Sequence, residues 1–153
     1  MDLVRLTRHR YVWPGLDAPR KEDAIERLLD LLLDEGALPR DARGEVLEAV
    51  MAREQRLSTG LEHGIAIPHG QTSRVDTEVA AVGVFPRGVQ FGGLDDQATR
   101  IVILLITPDR KRHRHVTNLA AIARQLLCAD VREAIVRART ADEALTALAG
   151  ARP

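Results

Sequence analysis

The stretch RIVILLI, at residues 100–106, decides the fold of this chain, because every residue after Arg100 is apolar. A short apolar run without alternation is typical of a central strand that is covered on both faces. Two other short runs, GIAI at 64–67 and VAAVGVF at 79–85, predict neighbouring strands. The stretch GVQF at 88–91 predicts a brief edge or hairpin strand. The middle of the chain is therefore predicted to form a β-sheet.

The residues before this sheet show a helical pattern. From Pro19 onward, apolar residues recur at positions i, i+3, i+4 and i+7 of one helix face: Ile25, Leu28, Leu29 and Leu32. Pro19 suits the first turn of that helix, and Gly36 suits its end. A second helix is predicted from Asp41, as its N-cap, to about Glu54. Near the start of the chain, residues 3–13 give a weak indication of a strand.

The chain returns to a helical pattern after Pro108. One helix stripe, spaced i, i+4, i+7 and i+11, contains a histidine and three apolar residues: His115, Leu119, Ile122 and Leu126. Asp130 is predicted to cap a further helix, and Thr140 with Glu143 forms a T-x-x-E capping box for the last helix. Helices on either side of a group of strands predict an α/β fold. We expect a single domain over residues 1–153, with a mixed β-sheet flanked by helices on both faces.

The composition fits one globular domain. The 153 residues are 45% hydrophobic but only 3% aromatic, so leucine, valine, isoleucine and alanine are expected to form the core. The 22 basic side chains balance 22 acidic ones, which gives no general attraction to nucleic acid or to an anionic membrane. The sequence contains no pattern of a signal peptide or membrane span, so we expect a cytoplasmic protein without membrane insertion. The single cysteine, Cys128, is predicted to be a small core residue and excludes an internal disulfide.

A histidine follows one of the predicted strands in the stretch STGLEHGIAIPHG, residues 58–70. The apolar run ends at Pro68, and His69 and Gly70 come next. One interpretation is structural: Pro68 and Gly70 form a turn, and His69 is an exposed bystander. The other is chemical, because a residue just past a rigid strand is held firmly at the surface. Such a histidine offers one ring nitrogen outward as a nucleophile while the other is hydrogen-bonded behind it.

The longer segment REQRLSTGLEHGIAIPHG, residues 53–70, closely resembles the phosphorylation-site segment of a known protein family. This family is the fructose/mannitol-type (type 2) enzyme IIA domains of the bacterial phosphoenolpyruvate-dependent phosphotransferase system, including their nitrogen-regulatory branch. The resemblance continues through AAVGVF, the G-V-x-F segment, IVILLITP and the helix that contains His115. It covers roughly residues 20–148 and is weakest before residue 40.

The resemblance implies a role for five residues. His69 accepts a phosphoryl group from the phosphohistidine carrier HPr or a relative, which makes the chain a histidine phosphotransferase component. His115 is the second active-site histidine, and Arg53 is the active-site arginine of the R-E pair. Ser58 and Thr59 occupy the S-T-G positions and donate hydrogen bonds to the phosphoryl oxygens. No cofactor is expected.

Elementary chemistry agrees with these roles, although each residue also has a structural alternative. Phosphoryl transfer needs an in-line nucleophile and cationic or hydrogen-bonding groups around the equatorial oxygens. His69 supplies the nucleophile, His115 donates from a helix N-terminus, and Arg53 stabilises the developing charge. Alternatively, Arg53 only pairs with Glu54 or solvent, and His115 is a surface residue at the start of a helix.

Two features depart from the family pattern. His63 stands where the family carries a small polar residue, and we expect it to be an exposed turn residue. The run DRKRHRH, residues 109–115, is unusually basic. Its short length and the neutral net charge of the chain argue against nucleic-acid binding. We interpret it as a basic collar that attracts a phosphorylated or acidic partner.

Metal binding is a minor alternative for the histidines of these segments: His63, His69, His113 and His115. Their spacing places no carboxylate or thiolate beside them, so no metal site is predicted.

Two functions remain open from the sequence. In the first, the chain passes phosphate from HPr to a sugar-specific enzyme IIB, for uptake of a fructose- or mannitol-class sugar. In the second, phosphorylation of His69 switches the binding of the chain to regulatory or transporter proteins. In either case we expect a shallow protein-docking surface around His69 rather than a deep pocket for a free sugar.

Overall fold

The apolar run at residues 100–106 lies at the centre of a mixed β-sheet in the computed structural model, which describes residues 3–8 and 10–150. Within these residues the sheet has five strands: β1 (Val12–Trp13), β2 (Ile65–Ala66), β3 (His69–Thr72), β4 (Val79–Val89) and β5 (Thr99–Pro108). β4 pairs antiparallel with one edge of β5, and β2 and β3 pair parallel with the other edge of β5. β1 extends the sheet by pairing parallel with β4. The prediction of a mixed sheet is confirmed.

Helices cover both faces of this sheet, as predicted. The described residues form six α-helices: α1 (Leu3–Leu6), α2 (Lys21–Asp34), α3 (Arg43–Arg56), α4 (Arg112–Gln125), α5 (Ala129–Arg137) and α6 (Ala141–Gly150). Short 3₁₀ turns at Arg40–Ala42 and Asp109–Lys111 precede α3 and α4.

The side chains of β5 alternate between the two halves of the core. Val102, Leu104 and Ile106 pack in one cluster with the apolar faces of α2 and α3. Ile101, Ile103 and Leu105 pack in a second cluster with α1, α4, α5 and α6. Full burial of one such side chain contributes about 1.5–3 kcal/mol to the stability of the folded protein. The central strand is therefore covered on both faces by a core that is mainly aliphatic.

The predicted helix faces are confirmed, but two of the predicted caps are wrong. In α2 the residues Ile25, Leu28, Leu29 and Leu32 are buried, and Gly36 ends the helix with φ +72°. Asp41 does not cap α3, because it lies inside the 3₁₀ turn and its carboxylate pairs with Arg74 at 2.7 Å. Asp130 lies in the first turn of α5, whose N-cap is Cys128. Pro19 precedes the N-cap of α2, Arg20.

The capping box of the last helix forms with one change. The backbone N–H of Glu143 donates to Thr140 Oγ1 at 3.2 Å. The Glu143 carboxylate accepts from the backbone N–H of Arg139 at 2.8 Å, one residue before the expected donor.

Three other predictions require correction. The predicted strand at residues 3–13 is mostly wrong, because Leu3–Leu6 is helical and only Val12–Trp13 pairs in the sheet. The stretch 88–91 is not a separate strand: β4 continues to Val89 through an irregularity in its pairing with β5. Cys128 is exposed, because it lies in the extended connection between α4 and α5 rather than on a packed helix face.

Some predicted positions lie outside the described residues. They are residues 1, 2, 9 and 151–153 of the predicted domain, and residue 9 also belongs to the predicted strand at 3–13. In the described part of the chain, no helix combines the length and apolar character needed to cross a membrane.

Candidate active site

His69 is the first residue of β3, which excludes the alternative in which Pro68 and Gly70 form a turn. It also lies at the start of a strand rather than just past the end of one. The chain leaves β2 at Ala66, passes Pro68, and resumes parallel pairing with β5, where His69 is opposite Leu105. The carbonyl of Pro68 accepts from the Leu105 backbone N–H at 3.0 Å. Pro68 therefore lies in the short break between β2 and β3, which both pair with β5. His69 is held in the sheet by this pairing.

Gly70 brings helix α3 against this strand. A Cβ atom on Gly70 would lie 2.9 Å from Val50 Cγ2 and 3.2 Å from the Val50 backbone nitrogen. These distances are shorter than ordinary carbon contacts, so only glycine permits this approach. Arg53 lies three residues after Val50, on the same side of α3. The close packing therefore brings the last turn of α3 beside His69.

The ring of His69 is oriented by its own segment. Nδ1 lies 2.8 Å from the carbonyl oxygen of Ile67, which only accepts hydrogen bonds, so Nδ1 carries the proton. Burial lowers the pKa of His69; the Ile67 carbonyl opposes this shift, Arg53 adds to it, and Glu54 opposes it. At neutral pH the ring is therefore uncharged and carries its free electron pair on Nε2.

His115 faces His69 across the site. It is the fourth residue of α4 and is buried, and its ring centroid lies 4.8 Å from that of His69 at an interplanar angle of 55°. Its Nδ1 lies 2.8 Å from Thr107 Oγ1. Burial, followed by repulsion from His69 and Arg53, lowers the pKa of His115 to about 4. Two neutral imidazoles therefore meet beside the start of β3 and the end of β5.

Arg53 lies in the last turn of α3 and lines the same cleft as His69. Its Nη1 donates to the carbonyl oxygen of Leu57 at 2.6 Å, and within the described residues it forms no ion pair. The neighbouring Glu54 pairs instead with Lys21 Nζ at 3.2 Å. The Arg53 guanidinium is therefore not neutralised by Glu54, which excludes that part of the structural alternative.

Ser58 and Thr59 also line the cleft, but their hydroxyl groups are hydrogen-bonded within the protein. The Ser58 hydroxyl donates to the carbonyl oxygen of Phe91 and accepts from the Gly60 N–H. The Thr59 hydroxyl donates to Glu54 Oε2 at 2.5 Å, and its backbone N–H lies 3.2 Å from both carboxylate oxygens. The buried Glu54 carboxylate thus anchors the loop beside the two histidines.

Two residues of this site were not predicted from the sequence: Glu54 and Thr107. Glu54 anchors the loop of Ser58 and Thr59, and Thr107 contacts the ring of His115. The signals were present, since Glu54 follows Arg53 directly and Thr107 is a polar residue that directly follows the apolar run at residues 101–106. Neither signal specifies its partner, because both contacts depend on how the elements pack.

An apolar cleft of about 430 Å³ opens beside His69 and Arg53. Its apolar lining consists mainly of Leu57, Leu61, Ile67, Leu94, Leu119 and Ala123. Leu57 and Leu94 are 71% and 77% exposed, and Val116 next to His115 is 68% exposed. In place of the expected shallow surface, the structure therefore has a concave cleft with an exposed apolar rim.

Neither His63 nor the arginines of the basic run belong to the pair formed by His69 and His115. His63 is an exposed turn residue with φ +64°, and its backbone N–H donates to Asp95 at 2.8 Å. In the basic run, Arg110 pairs with Asp76 at 2.7 Å, whereas Arg112 and Arg114 are exposed in the first turn of α4. In the part of the chain that the structure describes, no cluster of three or more His, Cys, Asp or Glu residues is suited to hold a metal ion.

Comparison with known proteins identifies a family and several relatives. Residues 5–150 match the family described as "Phosphoenolpyruvate-dependent sugar phosphotransferase system, EIIA 2". A fructose-specific EIIA component from Haloferax volcanii is 35% identical over 120 residues, which cover 78% of this chain and 77% of that protein. A nitrogen regulatory protein from Pseudomonas aeruginosa is 33% identical over 122 residues, which cover 80% of this chain and 78% of that protein.

Solved structures give the same result. In the complex of enzyme IIAMTL and phosphorylated enzyme IIBMTL from Escherichia coli, one chain superposes on this one with a TM-score of 0.73. The two are 28% identical, and the match covers 92% of this chain and 94% of the other.

Proposed function

Because this chain belongs to the EIIA 2 family of the phosphoenolpyruvate-dependent sugar phosphotransferase system, we propose that His69 is its phosphoryl-accepting residue. The observation that carries this proposal is the hydrogen bond from His69 Nδ1 to the Ile67 carbonyl. It leaves Nε2 with a free electron pair, beside the neutral ring of His115 and near the Arg53 guanidinium. HPr, or a related carrier that bears a phosphohistidine, is the proposed donor.

The proposed transfer is a single in-line displacement. The electron pair of His69 Nε2 attacks the phosphorus atom, a new N–P bond forms, and the N–P bond of the donor breaks. The donor nitrogen keeps the electron pair of the broken bond. The His69 ring gains positive charge, and its Nδ1–H bond to the Ile67 carbonyl stabilises that charge. Transfer to an acceptor repeats these steps in the opposite direction.

His115 and Arg53 are proposed to stabilise the phosphoryl oxygens during this transfer. A phosphoryl group in flight carries its charge on three equatorial oxygens, so fixed donors around it contribute most of the catalysis. The Arg53 guanidinium provides a permanent charge, and His115 provides a neutral ring at 4.8 Å from His69. Removal of one such donor typically lowers the rate by a factor of about 10²–10³.

We also propose that Ser58 and Thr59 donate hydrogen bonds to the phosphoryl oxygens. Their present hydrogen bonds within the protein restrict this role. Both hydroxyls already donate, one to the Phe91 carbonyl and one to Glu54. Direct donation to a phosphoryl oxygen requires one of these bonds to break when the phosphoryl group arrives. In the unphosphorylated protein the two residues fix the loop that borders the site.

The apolar cleft supports docking of a protein rather than binding of a free sugar. A sugar presents many hydroxyl groups and needs several convergent polar partners, whereas leucine, isoleucine and alanine form most of this cleft. The exposed Leu57 and Leu94 are suited to be covered by an apolar patch of a partner. The same cleft must serve donor and acceptor, because both have to bring a reacting atom to His69.

We propose an enzyme IIB of the fructose/mannitol class as the acceptor, which makes the chain a sugar-uptake component that acts in the cytoplasm. The fructose-specific relative and the complex of enzyme IIAMTL with phosphorylated enzyme IIBMTL support this assignment. A regulatory role is the second candidate, and the similarity to a nitrogen regulatory protein supports it. In that case the phosphorylation state of His69 controls binding to a regulatory or transporter protein.

A reconstituted relay tests the proposal. The chain is incubated with phosphoenolpyruvate, enzyme I and HPr, and a fructose-class or mannitol-class enzyme IIB is then added. We expect phosphate to reach enzyme IIB through this chain, and His69→Ala to abolish transfer while the protein stays folded. Phosphorylation of the chain without transfer to either enzyme IIB favours the regulatory role. Normal transfer by His69→Ala contradicts the proposal.

A further inference from the structure

Thr107 contacts the ring of His115 from inside the protein. It is the ninth residue of β5, and its side chain is completely buried. Its Oγ1 lies 2.8 Å from His115 Nδ1. Thr107 follows Ile103 and Leu105 at alternate positions of the strand, so it lies on the sheet face that α4 covers. The contact therefore joins the end of the central strand to the first turn of α4.

The direction of this hydrogen bond follows from the partners of the hydroxyl group. Among the described residues, the Thr107 hydroxyl has no hydrogen-bond partner other than His115 Nδ1. If Nδ1 carried a proton and donated it, the hydroxyl hydrogen would be buried without an acceptor, which is unfavourable. If the hydroxyl donates to Nδ1 instead, both groups are satisfied. We infer that Thr107 is a positioning residue that holds His115 in the tautomer with its proton on Nε2.

This inference rests on the proposed function and deepens it, because the two histidines then present opposite groups to the site. The Ile67 carbonyl fixes the proton of His69 on Nδ1, so its Nε2 offers an electron pair to phosphorus. Thr107 fixes the proton of His115 on Nε2, so that ring offers an N–H to a phosphoryl oxygen. The other His115 tautomer would direct an electron pair at that oxygen and repel it. The low pKa of His115, about 4, keeps the ring neutral, so its tautomer matters.

The test begins with the nitrogen chemical shifts of His115 in the unphosphorylated protein at neutral pH. Long-range ¹H–¹⁵N correlation spectra distinguish a protonated ring nitrogen from one with a free electron pair. We expect the wild type to carry the proton on Nε2. Thr107→Val, which has the same shape, is expected to lose this preference, and Thr107→Ser is expected to keep it. Thermal unfolding of the three proteins verifies that the variants fold. A wild-type His115 with its proton on Nδ1 overturns the inference, whether or not a variant is stable.

Transfer rates from phospho-HPr test whether the tautomer matters for function. The net value of one such hydrogen bond corresponds to a factor of about five to ten. We expect Thr107→Val to slow transfer by about that factor and Thr107→Ser to stay within about twofold of the wild type. In a His115→Ala background, Thr107→Val should have no further effect, because Thr107 acts through the ring. An unchanged rate in Thr107→Val, or an equal loss in the His115→Ala background, overturns the positioning role. If wild-type His69 accepts no phosphate at all, the proposed function is wrong, and the NMR result alone decides the role of Thr107.

Discussion

Replacement of Gly70 by alanine is expected to push helix α3 away from strand β3. The added methyl carbon would lie 2.9 Å from Val50 Cγ2 and 3.2 Å from the Val50 backbone nitrogen. Carbon atoms pack at about 3.5–4.0 Å, so the two elements must separate by roughly half an ångström or more. Val50 is only 1% exposed, so its side chain cannot avoid the new methyl group by turning into solvent. Overpacking of this kind costs about 1–3 kcal/mol of unfolding free energy.

The same shift is expected to slow phosphotransfer, because α3 carries Arg53 and β3 carries His69. A misplacement of about 1 Å at an active site lowers a rate by about a hundredfold. For a shift of half that size we expect Gly70→Ala to transfer phosphate roughly tenfold more slowly. Urea unfolding measures the loss of stability, and single-turnover transfer from phospho-HPr measures the rate.

Gly44 of the same helix provides a matched control. It is exposed, and a Cβ atom there would meet no atom within 4 Å. Gly44→Ala should therefore stabilise the protein by about 0.5–1 kcal/mol and leave transfer unchanged. Val50→Ala removes the Cγ2 atom that the new methyl group would meet, so it should relieve part of the Gly70→Ala effect. The double variant should therefore lose less stability than the sum of the losses in the two single variants. Stability of Gly70→Ala within about 0.5 kcal/mol of the wild type, with normal transfer, would show that the packing of α3 on β3 does not require glycine at this position.

Two further predictions concern pH and charge. Burial lowers the pKa of His115 from 6.5 to about 4, so its contribution to stability is present above pH 6.5 and is lost as the pH falls towards 4. Unfolding free energies measured from pH 7 to 4 should therefore fall more steeply in the wild type than in His115→Gln, and parallel curves would contradict this. Reversal of the exposed Arg112 and Arg114 to glutamate should slow transfer from an acidic or phosphorylated partner at low salt, with a smaller effect at high salt. Reversal of Arg110, whose charge Asp76 already neutralises, is the control and should slow transfer less.

The central parts of the fold were predictable because their pattern is local. Residues 101–106 are apolar without alternation, which indicates a strand that is buried on both faces. The spacing of apolar residues in α2 likewise indicates the buried side of that helix. The position of β3 was not predictable in this way, because Pro68 is typical of a strand end. Pairing with β5 resumes at His69, and this depends on a partner more than thirty residues later.

The local pattern around His69 offered it as one of two interpretations, but the other residues of the candidate site were found only through the family resemblance. Arg53, His69 and His115 lie far apart along the chain, and no local pattern shows that they meet. Thr107 and Glu54 were missed because neither of their contacts follows from a periodic pattern. Thr107 contacts His115 across the 3₁₀ turn that precedes α4, and Glu54 contacts Thr59 in the loop just after α3. Cys128 was misplaced because an apolar neighbourhood in sequence does not show where a helix ends.

Locating the phosphate on the intact protein tests the proposed role of His69 most directly. The chain is phosphorylated with phosphoenolpyruvate, enzyme I and HPr, and ³¹P and long-range ¹H–¹⁵N NMR spectra identify the modified nitrogen. We expect one phosphate on Nε2 of His69, with Nδ1 of that ring still protonated. A phosphate on His115, His63 or His113, or on Nδ1 of His69, would contradict it.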